Sequence, residues 1–238
     1  MKLTLSDIKS KLKFGPNGSP VLAVILFIVA FSVTLLILGG DPSDTVDSLT
    51  LGQQMKQIVE SEPGEVVATI NDLNYYERDL AIIKHNMLTA NPQYSRLPEK
   101  QQNQVAGDQL IRQYMILQEF SRFNLSVTDE ECEERIQTER KAALDMIAQG
   151  KSNGENFLKY IEGYGTTFDE YWQDEAVRTS FIEALKYDKA IEHICLIEGK
   201  KTMSNMEMNE YLTELINNDV YKITLFGEPF GKKATEGN

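Results

Sequence analysis

Residues 21–38 read VLAVILFIVAFSVTLLIL, an unbroken apolar run without a charge. Nothing else constrains the chain as much. Coiled into a helix at about 1.5 Å per residue, the run spans roughly 27 Å, close to the hydrocarbon thickness of a bilayer. Lys2, Lys9, Lys11 and Lys13 precede it, and Asp41, Asp44 and Asp47 follow. An excess of lysine before an apolar helix keeps the N-terminus in the cytoplasm and sends everything from about residue 41 outside. The competing reading is a cleaved signal peptide. Such a peptide has an apolar stretch of about 7–15 residues and a small-residue cleavage site, whereas this run closes on Leu38-Gly39-Gly40. No cysteine follows that could carry a lipid. Both readings export the remainder, and a retained single-pass anchor is the expectation.

The exported part is acidic. The whole chain carries a net charge of −12, and its first residues are basic, so the remainder is more negative still. A surface of that sign repels phosphate backbones and anionic headgroups, which argues against nucleic acid as a partner. The two cysteines, Cys132 and Cys195, are far apart in sequence and show neither CxxC nor zinc-ligand spacing. A disulfide is permitted outside the membrane. Two separate thiols are the leading expectation, because sequence separation says nothing about whether the Cα atoms come within bonding range.

After a polar spacer with Pro42, apolar positions Leu51, Met55, Ile58 and Val59 predict a helix over 51–60, stopped by Pro63-Gly64. Residues 66–70 are β-prone, Asn71-Asp72 supplies turn chemistry, and 73–76 returns, giving a short hairpin. Helices are predicted over about 77–89 and 99–123, with Asn124 where a helix end needs a residue tolerant of the left-handed region. Thr128 to Glu131, Thr167 to Glu170 and Ser204 to Glu207 each fit the capping box, in which a hydroxyl and a glutamate satisfy each other's backbone amides. They open three later helices, one of them read as continuous over 168–197. Residues 220–226 alternate like a strand, with Tyr221, Ile223 and Leu225 on one face. A lone hairpin is marginal in water, so this strand is expected to pair with 66–70.

This order of elements resembles the SurA-type extracytoplasmic chaperones, the SurA/PrsA/PpiD-like foldases. The resemblance rests on Val66-Val67-Ala68-Thr69-Ile70-Asn71-Asp72. It rests further on Leu110-Ile111, Ile116-Leu117 and the run Phe123 through Glu131 with Ile136, then on Phe157 and Tyr164 through Tyr171 leading to Arg178. Asn124 stands where the family has a glycine. The resemblance covers about residues 65–197 and carries no catalytic signature. It implies a mainly α fold with a small β-sheet, an N-terminal SurA-like helical domain completed by a C-terminal helix and strand, plus one transmembrane helix. Larger members of the family insert parvulin isomerase domains after the long helix. Here too few residues lie between Ile197 and Ser204 for a domain of about a hundred. The organisation expected is a basic cytoplasmic segment over 1–19, the anchor over 20–40, a spacer with one short helix over 41–64, the chaperone-like core over 65–226 and a flexible tail over 227–238.

Catalytic signatures are missing. His85 and His193 are the only histidines, and there is no HExxH, GxSxG, Walker or GxGxxG motif. The acidic clusters read as solvated, capped helix faces and not as cation sites, because no ligand loop accompanies them. No cofactor or metal is expected, and no enzyme activity. Met87, Tyr94, Phe157, Tyr160, Tyr164 and Trp172 lie near predicted helix ends or turns and are the candidate peptide-binding residues. Methionine and aromatic side chains make adaptable surfaces, though the plain alternative for each is a place in the core. The resemblance implies a membrane-anchored chaperone that binds unfolded or exported polypeptides without ATP. The alternative is a dedicated adaptor that tethers one envelope or secretion partner.

Overall fold

The computed structural model describes residues 47–90 and 92–227. The anchor run over 21–38, the basic segment before it and nearly all of the tail from 227 lie outside the described residues. Among those described, no helix is long and apolar enough to cross a membrane.

Three strands form one antiparallel sheet: β1 (Val66–Ile70), β2 (Leu73–Tyr76) and β3 (Ile223–Leu225). The β-branched run of β1 takes the centre, where both its edges are paired, with order β2-β1-β3. Ala68, Thr69 and Ile70 face Leu225, Thr224 and Ile223, so the expected closure of the two ends of the domain is present. Asn71, read as a turn residue, also fastens this closure. It sits at φ 54°, donates its amide to Lys222 O at 2.8 Å and accepts from Lys222 N at 2.9 Å.

Eight α-helices complete the described chain: α1 (Ser48–Glu60), α2 (Glu77–Ala90), α3 (Glu99–Arg122), α4 (Asp129–Ala148), α5 (Ser152–Tyr164), α6 (Phe168–Tyr171), α7 (Glu175–Ile197) and α8 (Asn205–Asn217), with a 3-10 turn over Pro92–Arg96. All three capping boxes are formed, at Thr128, Thr167 and Ser204. Asn124 takes φ 53° at the end of α3, and Leu125 N then reaches Phe120 O at 3.1 Å. This left-handed closure satisfies a carbonyl the helix would leave open.

Two points differ from the sequence reading. The helix expected over 168–197 is broken, because Asp174 leaves helical geometry and its carboxylate accepts from Ala176 N at 2.8 Å and Val177 N at 3.2 Å. An aspartate that caps a new helix competes with continuing the old one. The second is α5, which the reading left unassigned although Phe157, Tyr160, Ile161 and Tyr164 follow i, i+3, i+4, i+7 spacing.

The helices enclose two cores. One lies under the sheet and joins Ile70, Ile83, Leu110, Ile116, Ile194 and Leu212 with their neighbours. The other joins Met55, Ile136, Phe157, Tyr160, Tyr171 and Phe181. α7 serves both, giving Val177 and Phe181 to the second core and Tyr187, Ala190 and Ile194 to the first. α1 lies across α5 with backbones nearly touching. A Cβ on Gly52 would strike the carbonyl of Tyr160, and one on Gly163 would strike that of Leu49.

Candidate functional site

The six residues singled out from the sequence divide between the cores. Phe157, Tyr160, Tyr164 and Trp172 come together in the second, all at most 7% exposed. Met87 is buried in the first, with Tyr94 partly buried against it. Their apparent position near turns misled, because α5 is a full helix held between α1 and α4 and not a connecting segment. In this conformation five of the six form packing and only the half-buried Tyr94 retains surface. Phe157 stands edge-on to Phe168, Tyr171 and Trp172 at 5.6–6.1 Å between centroids, a geometry that aromatic quadrupoles favour.

Trp172, though buried, has a second environment. It lines a cavity of about 340 Å³ between α4, the turn after α6, and the start of α7. From α4 come Glu133, Ile136, Gln137 and Arg140, whose i, i+3, i+4, i+7 spacing puts them on one helix face. Asp169, Gln173 and Arg178 close the other side. Ile136 and Trp172 are buried at 3% and 5% exposure and make the apolar floor.

Ion pairs that cross between helices frame the mouth. Arg140 Nη2 donates to Asp169 Oδ1 at 2.7 Å. Arg178 Nη2 donates to Asp129 Oδ1 at 2.9 Å, and its Nη1 lies 3.5 Å from Glu133 Oε2. The acids are well exposed, so solvent screening keeps each pair weak. The hydrogen bond it donates to Asp129 holds the Arg178 guanidinium above its ordinary pKa. Gln137 donates to Glu133 Oε1 at 2.8 Å, which leaves its own carbonyl oxygen open to a donor. Trp172 Nε1 is buried with no hydrogen-bond partner.

Of this lining the sequence reading named Trp172 alone, because the rest is mostly charged and amide side chains scattered over three elements. The one local signal was the α4 stripe, in which a single isoleucine interrupts a polar face. Glu119 is fully buried and accepts from Tyr211 and Tyr221 at 2.5 Å each and from Arg122 Nε at 2.7 Å. Burial alone would raise its pKa, but the hydrogen bonds from Arg122, Tyr211 and Tyr221 outweigh it and hold the carboxyl below its ordinary value. Cys132 and Cys195 are both buried free thiols. Among the described residues no group of three or more histidines, cysteines or acids is arranged to hold a metal ion. Comparison with known proteins finds no matching family model, no matching curated protein and no matching solved structure.

Proposed function

We propose that this chain is a membrane-anchored extracytoplasmic chaperone that holds unfolded or exported polypeptides without ATP and without isomerase activity. The observation that carries the reading is the way the C-terminal segment returns. α8 follows α7 after residues 198–204 alone, and β3 then pairs with β1. A compact core of this kind, with no space for a domain of about a hundred residues at that junction, agrees with the SurA-type pattern stripped of its parvulin insert. The apolar run over 21–38 supplies the anchor, and the lysines before it place the N-terminus in the cytoplasm. The full chain in phosphatidylcholine vesicles is expected to delay the aggregation of an unfolded client at near-stoichiometric ratio, and to leave peptide prolyl isomerisation at its background rate. No delay with several clients, the domain being folded, overturns the reading.

A second reading, an adaptor that tethers one envelope or secretion partner, draws on a different observation. At the corner where α7 turns into α8, Leu196, Ile197 and Met206 are 72%, 50% and 66% exposed. Exposed large apolar side chains of this kind are what a dedicated partner would cover. Crosslinking in cells separates the two readings, since one dominant product supports the adaptor and a broad smear of exported chains supports the chaperone.

A further inference from the structure

We propose that the cavity between α4, α6 and α7 is a socket for one bulky apolar side chain of an uncharged polypeptide segment; the proposal rests on the chaperone reading and gives it a place. At about 340 Å³ the cavity lies at the small end of ligand sites, which run from about 300 to 1,000 Å³. It takes one side chain with its flanking backbone and not a folded surface. The floor of Ile136 and Trp172 is apolar and rests on the aromatic packing beneath it.

The walls select against charge. Arg140 and Arg178 balance Glu133 and Asp169 around the cavity. A ligand charge of either sign would compete with a formed pair and meet a like charge. A neutral peptide group does neither. Gln137 and Gln173, both exposed at the mouth, offer amides that match a backbone in both directions. Trp172 Nε1, in that floor, is a buried donor without an acceptor.

The test uses the full chain in phosphatidylcholine vesicles. Trp172 is the only tryptophan, so indole emission comes from the cavity floor. The probes are acetylated, amidated pentapeptides, Gly-Gly-Xaa-Gly-Gly, with Phe, Leu, Ala, Glu or Lys in the middle. Phe and Leu peptides are expected to give a saturable shift in emission, and Ala, Glu and Lys peptides to bind at least tenfold more weakly. Gln137→Glu and Gln173→Glu place a charge at the mouth on exposed positions, so they keep the fold, checked by circular dichroism, and are expected to weaken the Phe peptide at least tenfold. An unsaturable response to Phe and Leu, equal binding of the Glu or Lys peptide, or full binding by both variants overturns the proposal. A client-aggregation assay on the same vesicles tells this failure from failure of the chaperone reading. Undiminished protection by both variants overturns the socket alone. Peptide binding as expected, with no protection by the unsubstituted chain, overturns the chaperone reading and leaves the socket.

Discussion

At the scale of single residues, Glu119 and His85 show opposite ways of burying a titratable group. Glu119 is ionised and surrounded by donors from α3, α8 and the approach to β3. Glu119→Ala strands Tyr211, Tyr221 and part of Arg122, and is expected to cost about 3–5 kcal/mol in chemical denaturation. Tyr221→Phe removes one bond and should cost about 1–2 kcal/mol. The folded pKa of Glu119 lies below its unfolded value, so its contribution is in place above about pH 4.3 and disappears as pH falls through the lower folded value. His85 is 6% exposed, its Nε2 lacks a partner, and burial pushes its pKa down to about 4. The unfolded chain therefore binds a proton that the folded one refuses. Stability is expected to fall as pH drops from about 6.5 to about 4, by on the order of 2–3 kcal/mol from this residue. His85→Met should flatten that part of the pH profile, read as the urea midpoint at each pH. An unchanged slope counts against the assignment.

At the scale of elements, the crossing of α1 on α5 depends on glycines meeting backbone. Gly163→Ala forces a methyl group into the carbonyl of Leu49 and should lower stability by about 1–3 kcal/mol or more, seen as a lower melting temperature. Thr128→Ala removes one half of a formed capping box and should cost about 0.5–2 kcal/mol. These elements also show what the sequence could reveal. The capping boxes, the hairpin, the left-handed Asn124 and the pairing of β3 with β1 were legible because each has a local chemical cause: a hydroxyl three residues from a glutamate, a β-branched run, a residue tolerant of positive φ. The break at Asp174 was not, since an aspartate inside an apolar helical pattern also reads as a solvent-facing residue. For Phe157, Tyr160 and Trp172 a place in the core was the plain reading, but what covers them was not legible. Position near a turn says nothing about which neighbour covers a side chain, and here α1 reaches back from before the sheet to lie across α5. The cavity is further from sequence still, because Arg140 and Arg178 meet their acids only across helices.

At the scale of the molecule, α7 welds the two cores, and the segment from α8 to β3 completes the first. A stop before Ser204 removes Met208, Tyr211, Leu212, Ile216, Tyr221 and Ile223 from burial. At about 1.5–3 kcal/mol each, their loss is comparable with the entire stability of a domain, about 5–15 kcal/mol. The shortened chain is expected to lose its cooperative thermal transition, and a melting temperature equal to that of the full chain would refute this account of the fold. The same closure sets an order in time. The contact between Asn71 and Lys222 spans 151 residues of sequence. A chain made from its N-terminus therefore releases β1 and β2 long before their third strand exists. At synthesis rates of about 5–20 residues per second, the open edge of β1 waits roughly 8–30 seconds for its partner. During that interval the nascent hairpin has a row of unpaired amides and carbonyls, the same feature that draws stray strands together in aggregation. A protein proposed to shelter incomplete chains is, for those seconds, one of them.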